Sequence, residues 1–424
     1  MDRTVAPKVE RLKSFEYIKA KEATLDNGIK VFYTENPKQE AIKIDIVFSA
    51  GYAHQQKPLQ AAAVADLLEE GTLHKNSEAL AAAIEQEGAI LQTSVKADFL
   101  EMSLYCLASK VEAMLPIVLE MIEESIFPEE ELADFIENKK QKFSISQQKV
   151  DFLVRNEFLA TIFGADHPYN NQIKESDFDN LERKDLLSFY EGFIKNKTFT
   201  LFVSGKVTSR EIELLNQFFG KNNNLTAVED KTNCDFQLNP AKKVFIEKPN
   251  ATQAAIRLGM PTIGKDNIDF PALFFTNTLL GGFFGSRLMT NIREDKGYTY
   301  GIGSALVSLK KGAYFFIASE LGANYLDATL KEIKIEVERL KTEKITDKEL
   351  QLVKNYLQGK LMKNFDGAFA AMDRFKSIHA LDLDYSYYDN LFAEFYKMTA
   401  EKVADVSRTY LNYEKFNILV AGKK

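Results

Sequence analysis

The sequence has few of the residues that most often hold zinc or form disulfides. Among 424 residues there are two cysteines, four histidines and no tryptophan. Cys106 and Cys234 stand far apart and form no CxxC pair, so neither a disulfide framework nor a cysteine zinc site is supported, and both are interpreted as free thiols. No two histidines have HxxH, HxxxH or HxxEH spacing. They are His54, His74, His167 and His379.

Long apolar runs and an excess of positive charge are also missing. Lysine and arginine number 54 against 61 acidic residues, which gives a net charge of −7. This is the opposite of the basic surface that binds a phosphate backbone, so we expect no nucleic-acid partner. No stretch approaches a membrane span, and the N-terminus has no apolar signal segment. We therefore expect no membrane association and a cytoplasmic location, or a periplasmic one if a leader has been trimmed.

A weak internal repeat at about half the chain length divides the sequence. The segment LSFYEGFIKNKTFTLFVSGK is similar to VADVSRTYLNYEKFNILVAGK, and PEEELADFIENKK is similar to TDKELQLVKNYLQ. The matched positions are Val31 with Val244, Glu131 with Glu349, and Gly205 with Gly422, which lie 213, 218 and 217 residues apart. Collinear matches at the beginning, middle and end of each half predict two related domains, as the chain length also favours.

A polar segment between the halves predicts the boundary. We place domains at residues 1–225 and 241–424, with a linker at 226–240. Alternating residues from Leu100 to Cys106 predict a strand, and the apolar spacing from Val111 to Ile122 predicts a helix with Ser109 as its N-cap. Such alternation predicts an α+β fold with two homologous domains, each a mostly antiparallel sheet with helices packed on one face.

The segment LQAAAVADLLEEGT, residues 59–72, follows two predicted strands and resembles the zinc helix of pitrilysin/insulinase peptidases. In that family an HxxEH motif precedes a similar Gly-Thr pair. The resemblance places Ala62 and Asp66 at the two histidines and Ala65 at the glutamate. Two imidazoles at i and i+4 bind zinc and the glutamate activates water, so two methyl groups and one carboxylate provide neither function.

The third zinc ligand of the family is a glutamate on a later helix. The corresponding segment here, KFSISQQKV, contains no acidic residue, and Ser146 is its best match. The resemblance therefore implies a zinc site that has lost every ligand of the family. The same segment from Ala61 to Leu68 is equally interpreted as an ordinary packed, alanine-rich helix. We expect no metal and no cofactor in this chain.

A second motif, LLGGFFGSRLMTNIREDKGYTYGIG, resembles the signature of the family's non-zinc half. The resemblance implies that Arg293 and Tyr300 contact the substrate and its oxyanion, because guanidinium and phenol groups donate hydrogen bonds to developing negative charge. It also implies substrate-binding positions at Gly281, Gly282, Ser286 and Arg287. The alternative is that Arg293 merely ends a helix favourably and that Tyr300 is an ordinary strand aromatic. A P-loop is disfavoured because no lysine follows GGFFGS.

The resemblance implies the non-zinc subunit of a heterodimeric metallopeptidase, inactive alone. Its partner would be a homologous HxxEH-bearing subunit that holds the zinc, and peptides would be enclosed between the two. The alternative is a catalytically inactive scaffold or peptide-binding assembly protein of the same fold. Retention of the Arg293 and Tyr300 signature favours the first interpretation.

Overall fold

The computed structural model describes residues 16–230, 232, 234 and 241–423. The strands are β1 Lys21–Thr24, β2 Lys30–Glu35, β3 Ala41–Phe48, β4 Ile90–Val95, β5 Leu100–Leu107, β6 Phe199–Gly205, β7 Lys243–Glu247, β8 Gln253–Pro261, β9 Thr299–Leu309, β10 Gly312–Gly322 and β11 Asn417–Gly422. The helices of the first half are α1 Gln60–Leu67, α2 Ser77–Glu85, α3 Val111–Glu124, α4 Glu129–Ser146, α5 Val150–Phe163, α6 Glu175–Asp179, α7 Arg183–Phe193 and α8 Ser209–Phe219. Those of the second half are α9 Phe270–Gly281, a π-helix Met289–Asp295, α10 Leu326–Thr342, α11 Asp347–Asn364, α12 Gly367–His379, α13 Ser386–Lys397 and α14 Ala400–Tyr410.

The strands form two sheets with the same topology. The first has the order β1-β2-β6-β3-β5-β4 and the second the order β7-β11-β8-β10-β9. Apart from β1, each strand of the first sheet has a counterpart at the same place in the second. Each sheet contains one parallel pair, β2 with β6 and β7 with β11, and its other pairs are antiparallel. The predicted α+β fold with two mostly antiparallel sheets is confirmed.

The positions matched in the sequence occupy equivalent places in the two halves. Val31 and Val244 lie in the first strand of each parallel pair, and Gly205 and Gly422 end the second strand. The domain limits 1–225 and 241–424 stay predictions. Most of the predicted linker at 226–240, namely 231, 233 and 235–240, lies outside the described residues.

Each sheet is covered on one face by helices of its own half. The first core joins the sheet to α1, α3, α7 and α8, and the second joins its sheet to α9, α10, α13 and α14. The bounds of α3 agree with the apolar spacing in the sequence. One detail was wrong: Ser109 lies inside a 3-10 turn, Ala108–Lys110, and α3 starts after Lys110 without a side-chain cap.

The opposite face of each sheet is covered by a helix from the other half. Helix α5 of the first half packs on β8 and β11, whereas α12 of the second half packs on β2 and β6. These helices occupy equivalent places, because α5 follows α4 as α12 follows α11. Central strands are consequently buried on both faces, and β11 is buried at all six positions. The exchange adds a second helical layer to the one-sided packing that the sequence predicts.

Candidate functional site

The helix that resembles a zinc helix is α1, and its side chains leave no ligand set. Ala65 is buried and Ala62 is half-buried, whereas Asp66 is exposed. The Asp66 carboxylate pairs at 2.8 Å with Lys139 on the facing helix α4. An ion pair thus stands where the zinc peptidases of the resemblance have a histidine ligand. Ser146 is the last residue of α4. Two methyl groups, a hydroxyl and a carboxylate already paired with a cation do not fit zinc.

Within the part of the chain that the structure describes, no group of three or more histidine, cysteine, aspartate or glutamate side chains is arranged to hold a metal ion. In the same residues, no helix is long and apolar enough to cross a membrane.

The glycine pair of the second motif ends α9 and brings that helix close to β9. A Cβ on Gly281 would lie 2.6 Å from Oγ and 2.7 Å from the backbone nitrogen of Ser304 in β9. Gly282 is the C-cap of α9, and its N–H donates to the Thr278 carbonyl at 3.1 Å. Gly281 therefore serves the contact between α9 and the edge of the second sheet, whereas Gly282 serves the end of α9.

Ser286 and Arg287 lie beneath the surface. Ser286 is fully buried. The Arg287 side chain is 9% exposed, and its Nε donates to Glu349 Oε1 at 2.9 Å. Glu349 also accepts from the backbone and hydroxyl of Thr346, the N-cap of α11. Burial raises the pKa of Glu349, but its bonds to Arg287 and Thr346 outweigh burial and hold the pKa below its usual value. The predicted substrate contacts of Gly281, Gly282, Ser286 and Arg287 stay predictions. The burial of Gly281, Ser286 and the Arg287 side chain favours a role in positioning the surface residues that follow.

Arg293 is presented by a π-helix. This rare geometry occurs mostly as a one-residue insertion in a helix and often lies at functional sites. The Arg293 guanidinium lies over the ring of Phe284, with 4.6 Å between its central carbon and the ring centroid. Phe284 is itself 62% exposed. A cation over an exposed ring is held in place while its donors stay available to a ligand.

Tyr300 is presented by a β-bulge. The register of β9 against β10 passes from Gly301 opposite Glu320 to Thr299 opposite Leu321, which leaves Tyr300 as the extra residue. The Thr299 hydroxyl closes the bulge by hydrogen bonds to the carbonyl of Glu320 and with the hydroxyl of Ser319, the latter at 2.9 Å. Bulges re-aim side chains, and Tyr300 is 91% exposed. β9 is also an edge strand of its sheet.

Sequence reasoning missed a buried carboxylate beside this motif. Glu336 in α10 is 1% exposed, and its Oε1 accepts from Asn291 of the π-helix at 2.6 Å and from Arg339 at 2.7 Å. Its position was a usable signal, because Glu336 lies on the apolar face that Ile333 and Leu340 define. A charge on that face indicates a buried polar contact.

Comparison with known proteins agrees with the motifs. Residues 180–357 match the family model described as the peptidase M16 inactive domain. The chain is 21% identical over 394 residues to a Bacillus subtilis protein named uncharacterized zinc protease YmxG, covering 92% of this chain and 95% of the relative. Over 195 residues, 46% of this chain and 45% of the relative, it is 22% identical to a B. subtilis protein named probable inactive metalloprotease YmfF.

Solved structures share the fold. A Pseudomonas fluorescens structure described as a peptidase M16 inactive domain superposes with a TM-score of 0.85 at 24% identity, covering 96% of this chain and 98% of that one. The periplasmic protease PqqL of Escherichia coli superposes with a TM-score of 0.77 at 16% identity, and the whole of this chain covers 48% of it. Residues 180–357 thus match the peptidase M16 inactive domain, and the resemblance to pitrilysin/insulinase peptidases that the sequence motifs carry is confirmed.

Proposed function

We propose that this chain is the non-zinc subunit of a two-subunit M16 metallopeptidase. It would enclose peptides against a homologous subunit that carries HxxEH and zinc, and would supply Arg293 and Tyr300 as substrate and oxyanion donors. Zinc in the partner would activate water, while a guanidinium and a phenol on this subunit would orient the peptide backbone and stabilise negative charge.

The observation that carries the proposal is the presentation of both donors by backbone irregularities. A π-helix carries Arg293 and a bulge carries Tyr300, and irregularities of both kinds recur near active sites. Among the described residues neither side chain makes a hydrogen bond, and Tyr300 is almost wholly exposed. An arginine or tyrosine needed only for stability has no reason to be presented in this way.

Two further observations support the need for a partner. The zinc-helix positions of this chain hold an Asp66–Lys139 ion pair, so metal chemistry has to come from elsewhere. A fold of this size also makes up about half of the PqqL chain, whose name describes a protease. A second unit of similar size is therefore compatible with this fold.

The test is reconstitution with a co-purified or genomically adjacent HxxEH-bearing homologue. We expect peptide hydrolysis only with both subunits, and a loss of about 10²-fold or more in kcat/KM for Arg293→Ala or Tyr300→Phe, the size typical of a lost oxyanion donor. Arg210→Ala is the matched control. This exposed arginine pairs with Glu112, and both residues lie in the first half of the chain, whereas Arg293 and Tyr300 lie in the second.

Thermal stability and complex formation of the same variants separate a catalytic loss from a folding defect. Full activity in both variants, or loss only through failed assembly, would refute the catalytic role. The inactive scaffold or peptide-binding assembly protein would then be the better interpretation.

A further inference from the structure

A cavity of about 860 Å³ lies between the two halves of the chain. Residues of β3, β4 and β5 line it from the first half. From the second half it is lined by the loop between β8 and α9, the end of β9 and the helix α12. A volume of this size is typical of sites that enclose a small molecule.

The cavity has an excess of positive charge, although the whole chain is acidic. Its cations are Lys43, Lys96, Lys265, Arg374 and Lys376, and its anions are Asp98, Glu101 and Asp373. Three of the cations hold two of the carboxylates, since Lys43 pairs with Asp373 at 2.8 Å, Lys96 pairs with Glu101 at 3.4 Å, and Lys376 pairs with Glu101. Asp98 accepts hydrogen bonds from the Tyr169 hydroxyl at 2.7 Å and from the backbone N–H of Lys310 at 3.0 Å. All three carboxylates are therefore engaged, and two cations remain.

The two remaining cations are Lys265 and Arg374. Within the part of the chain that the structure describes, neither the ammonium nor the guanidinium makes a hydrogen bond or an ion pair. Both residues are half-buried, and none of their side-chain nitrogens is closed off from solvent. Helix α13 contacts both, because the Tyr387 ring centroid lies 5.7 Å from Lys265 Nζ and the Tyr388 hydroxyl donates to the Arg374 carbonyl at 2.8 Å.

The charges of Lys265 and Arg374 act on each other. Burial, and after it the positive charge of Arg374, lower the pKa of Lys265 to about 8. The ammonium has thus lost part of its hydration without gaining a carboxylate in return, and a second cation is close enough to repel it. Both costs would be relieved by an anion held between the two groups.

We propose that this cavity binds a small oxyanion, a phosphate- or carboxylate-bearing molecule with more than one negative charge, between Lys265 and Arg374. The ammonium and the guanidinium donate charge-assisted hydrogen bonds to its oxygens, and such bonds are the strong ones in proteins. Gln92 and Ser94 on the β4 wall are exposed and offer further polar groups. Arg293 and Tyr300 do not line this cavity, and the site requires neither a partner subunit nor hydrolysis.

The experiment is titration calorimetry of the isolated chain with inorganic pyrophosphate and with citrate, at constant ionic strength set by potassium chloride. We expect one-to-one binding of at least one of them. The tighter of the two shows whether the natural ligand presents phosphate or carboxylate groups. If neither binds at concentrations of about 10 mM, the proposal is wrong.

Lys265→Met should weaken binding by at least about tenfold, because a charge-assisted bond is lost while the length of the side chain is kept. Lys96→Met is the matched control, since it removes the same charge from the same cavity. Lys96 is paired with Glu101 and its side chain is 67% exposed, so we expect a loss of less than about threefold. Equal losses in the two variants would reduce the effect to the general charge of the cavity and would overturn the site.

The pH dependence tests the same contact in the wild-type chain. The affinity should be full below a pH of about 8 and should decrease as the pH rises through that value, because the free Lys265 ammonium loses its proton there. Pyrophosphate and citrate do not lose negative charge over this range, so the decrease reports the chain. Burial raises the pKa of Tyr387, so the phenol that faces Lys265 stays neutral.

Arg374→Met should weaken binding as well and move the midpoint of this decrease to a higher pH, since the repelling charge is gone. An affinity that does not decrease with pH in the wild type, or that decreases equally in Lys265→Met, contradicts the proposal. Since no peptidase activity is measured, this proposal and the proposed function fail separately.

Discussion

At the residue scale, the motif glycines show how a functional signature also serves packing. Gly281 faces the backbone of β9 so closely that an added Cβ would meet a nitrogen at 2.7 Å. Backbone atoms cannot move aside as a flexible side chain can. A resemblance that assigns such a glycine to the substrate therefore also marks a close approach of two elements.

We predict that Gly281→Ala lowers the free energy of unfolding by about 1–3 kcal/mol, the usual cost of an overpacked core. Gly359→Ala provides the opposite case. Gly359 lies within α11, and a Cβ there meets nothing within 4 Å. The alanine should raise stability by about 0.5–1 kcal/mol through helix propensity. Chemical denaturation measures both. Equal effects of the two substitutions would contradict the role assigned to Gly281.

The resemblance of the sequence to a known motif proposes Arg293 and Tyr300 as site residues, and this stays a prediction. It does not say how the fold presents them. The π-helix and the bulge do not follow from the motif, because each is one residue out of register with its element and has no strong local signature. The exposure of Tyr300 and the burial of Ser286 likewise depend on which face the neighbouring helices cover.

At the element scale, helix α12 carries a buried charge network into the face of the first sheet. Asp45 in β3 is fully buried, and its carboxylate contacts Lys43 at 3.1 Å and Lys376 of α12. Lys376 also pairs with Glu101 of β5. Burial raises the pKa of Glu101, but the charge and hydrogen bond of Lys376 outweigh burial and leave the pKa below its usual value. One lysine thus compensates two carboxylates from the other half.

We predict that Lys376→Met lowers the free energy of unfolding at pH 7 by about 3 kcal/mol, because Asp45 and Glu101 lose the cation they share and keep only one lysine each. The folded pKa of Glu101 lies below its unfolded value of about 4.3. Its contribution is therefore present above pH 4.3 or so and is lost as the pH falls through the folded value. The difference between variant and wild type should shrink over the same range, as urea denaturation at several pH values would reveal.

Lys140→Met is the control for this substitution. Lys140 pairs with Asp179 on the surface, where both side chains are well exposed, so its removal should cost less than about 1 kcal/mol. A Lys376→Met effect as small as this one, or one that stays constant with pH, would show that the network does not hold α12 on the sheet.

Sequence patterns predicted individual elements but not this exchange. The spacing of apolar residues predicts that a helix has a buried face, and it predicted α3 within a few residues. It does not say which sheet that face meets. Helices α5 and α12 could each have packed in their own half, and only three-dimensional packing assigns them to the other.

At the scale of the whole molecule, the exchange makes each half depend on the other. Val154, Phe158 and Ile162 of α5 are at most 2% exposed because they pack on the second sheet. Phe32 and Phe202 of the first sheet are buried by α12, against Phe375. Separating the halves would uncover a helix face and a sheet face on each side.

We therefore predict that the halves unfold together and that neither folds alone. In the whole chain, urea unfolding followed by far-UV circular dichroism and by the near-UV signal of its 17 tyrosines should give coincident transitions. Fragments 1–225 and 241–424 should each bind a hydrophobic dye and lack a cooperative transition, since their exposed apolar faces have lost the covering helix. Mixing the fragments should restore the cooperative transition and abolish dye binding.

Phe158→Ala tests the same dependence in the intact chain. Because the phenyl ring is removed from a well-packed contact, we expect the free energy of unfolding to fall by about 3–5 kcal/mol while the two transitions stay coincident. Independent folding of either fragment, or separated transitions in the variant, would mean that each domain is stable without the helix it receives from the other half.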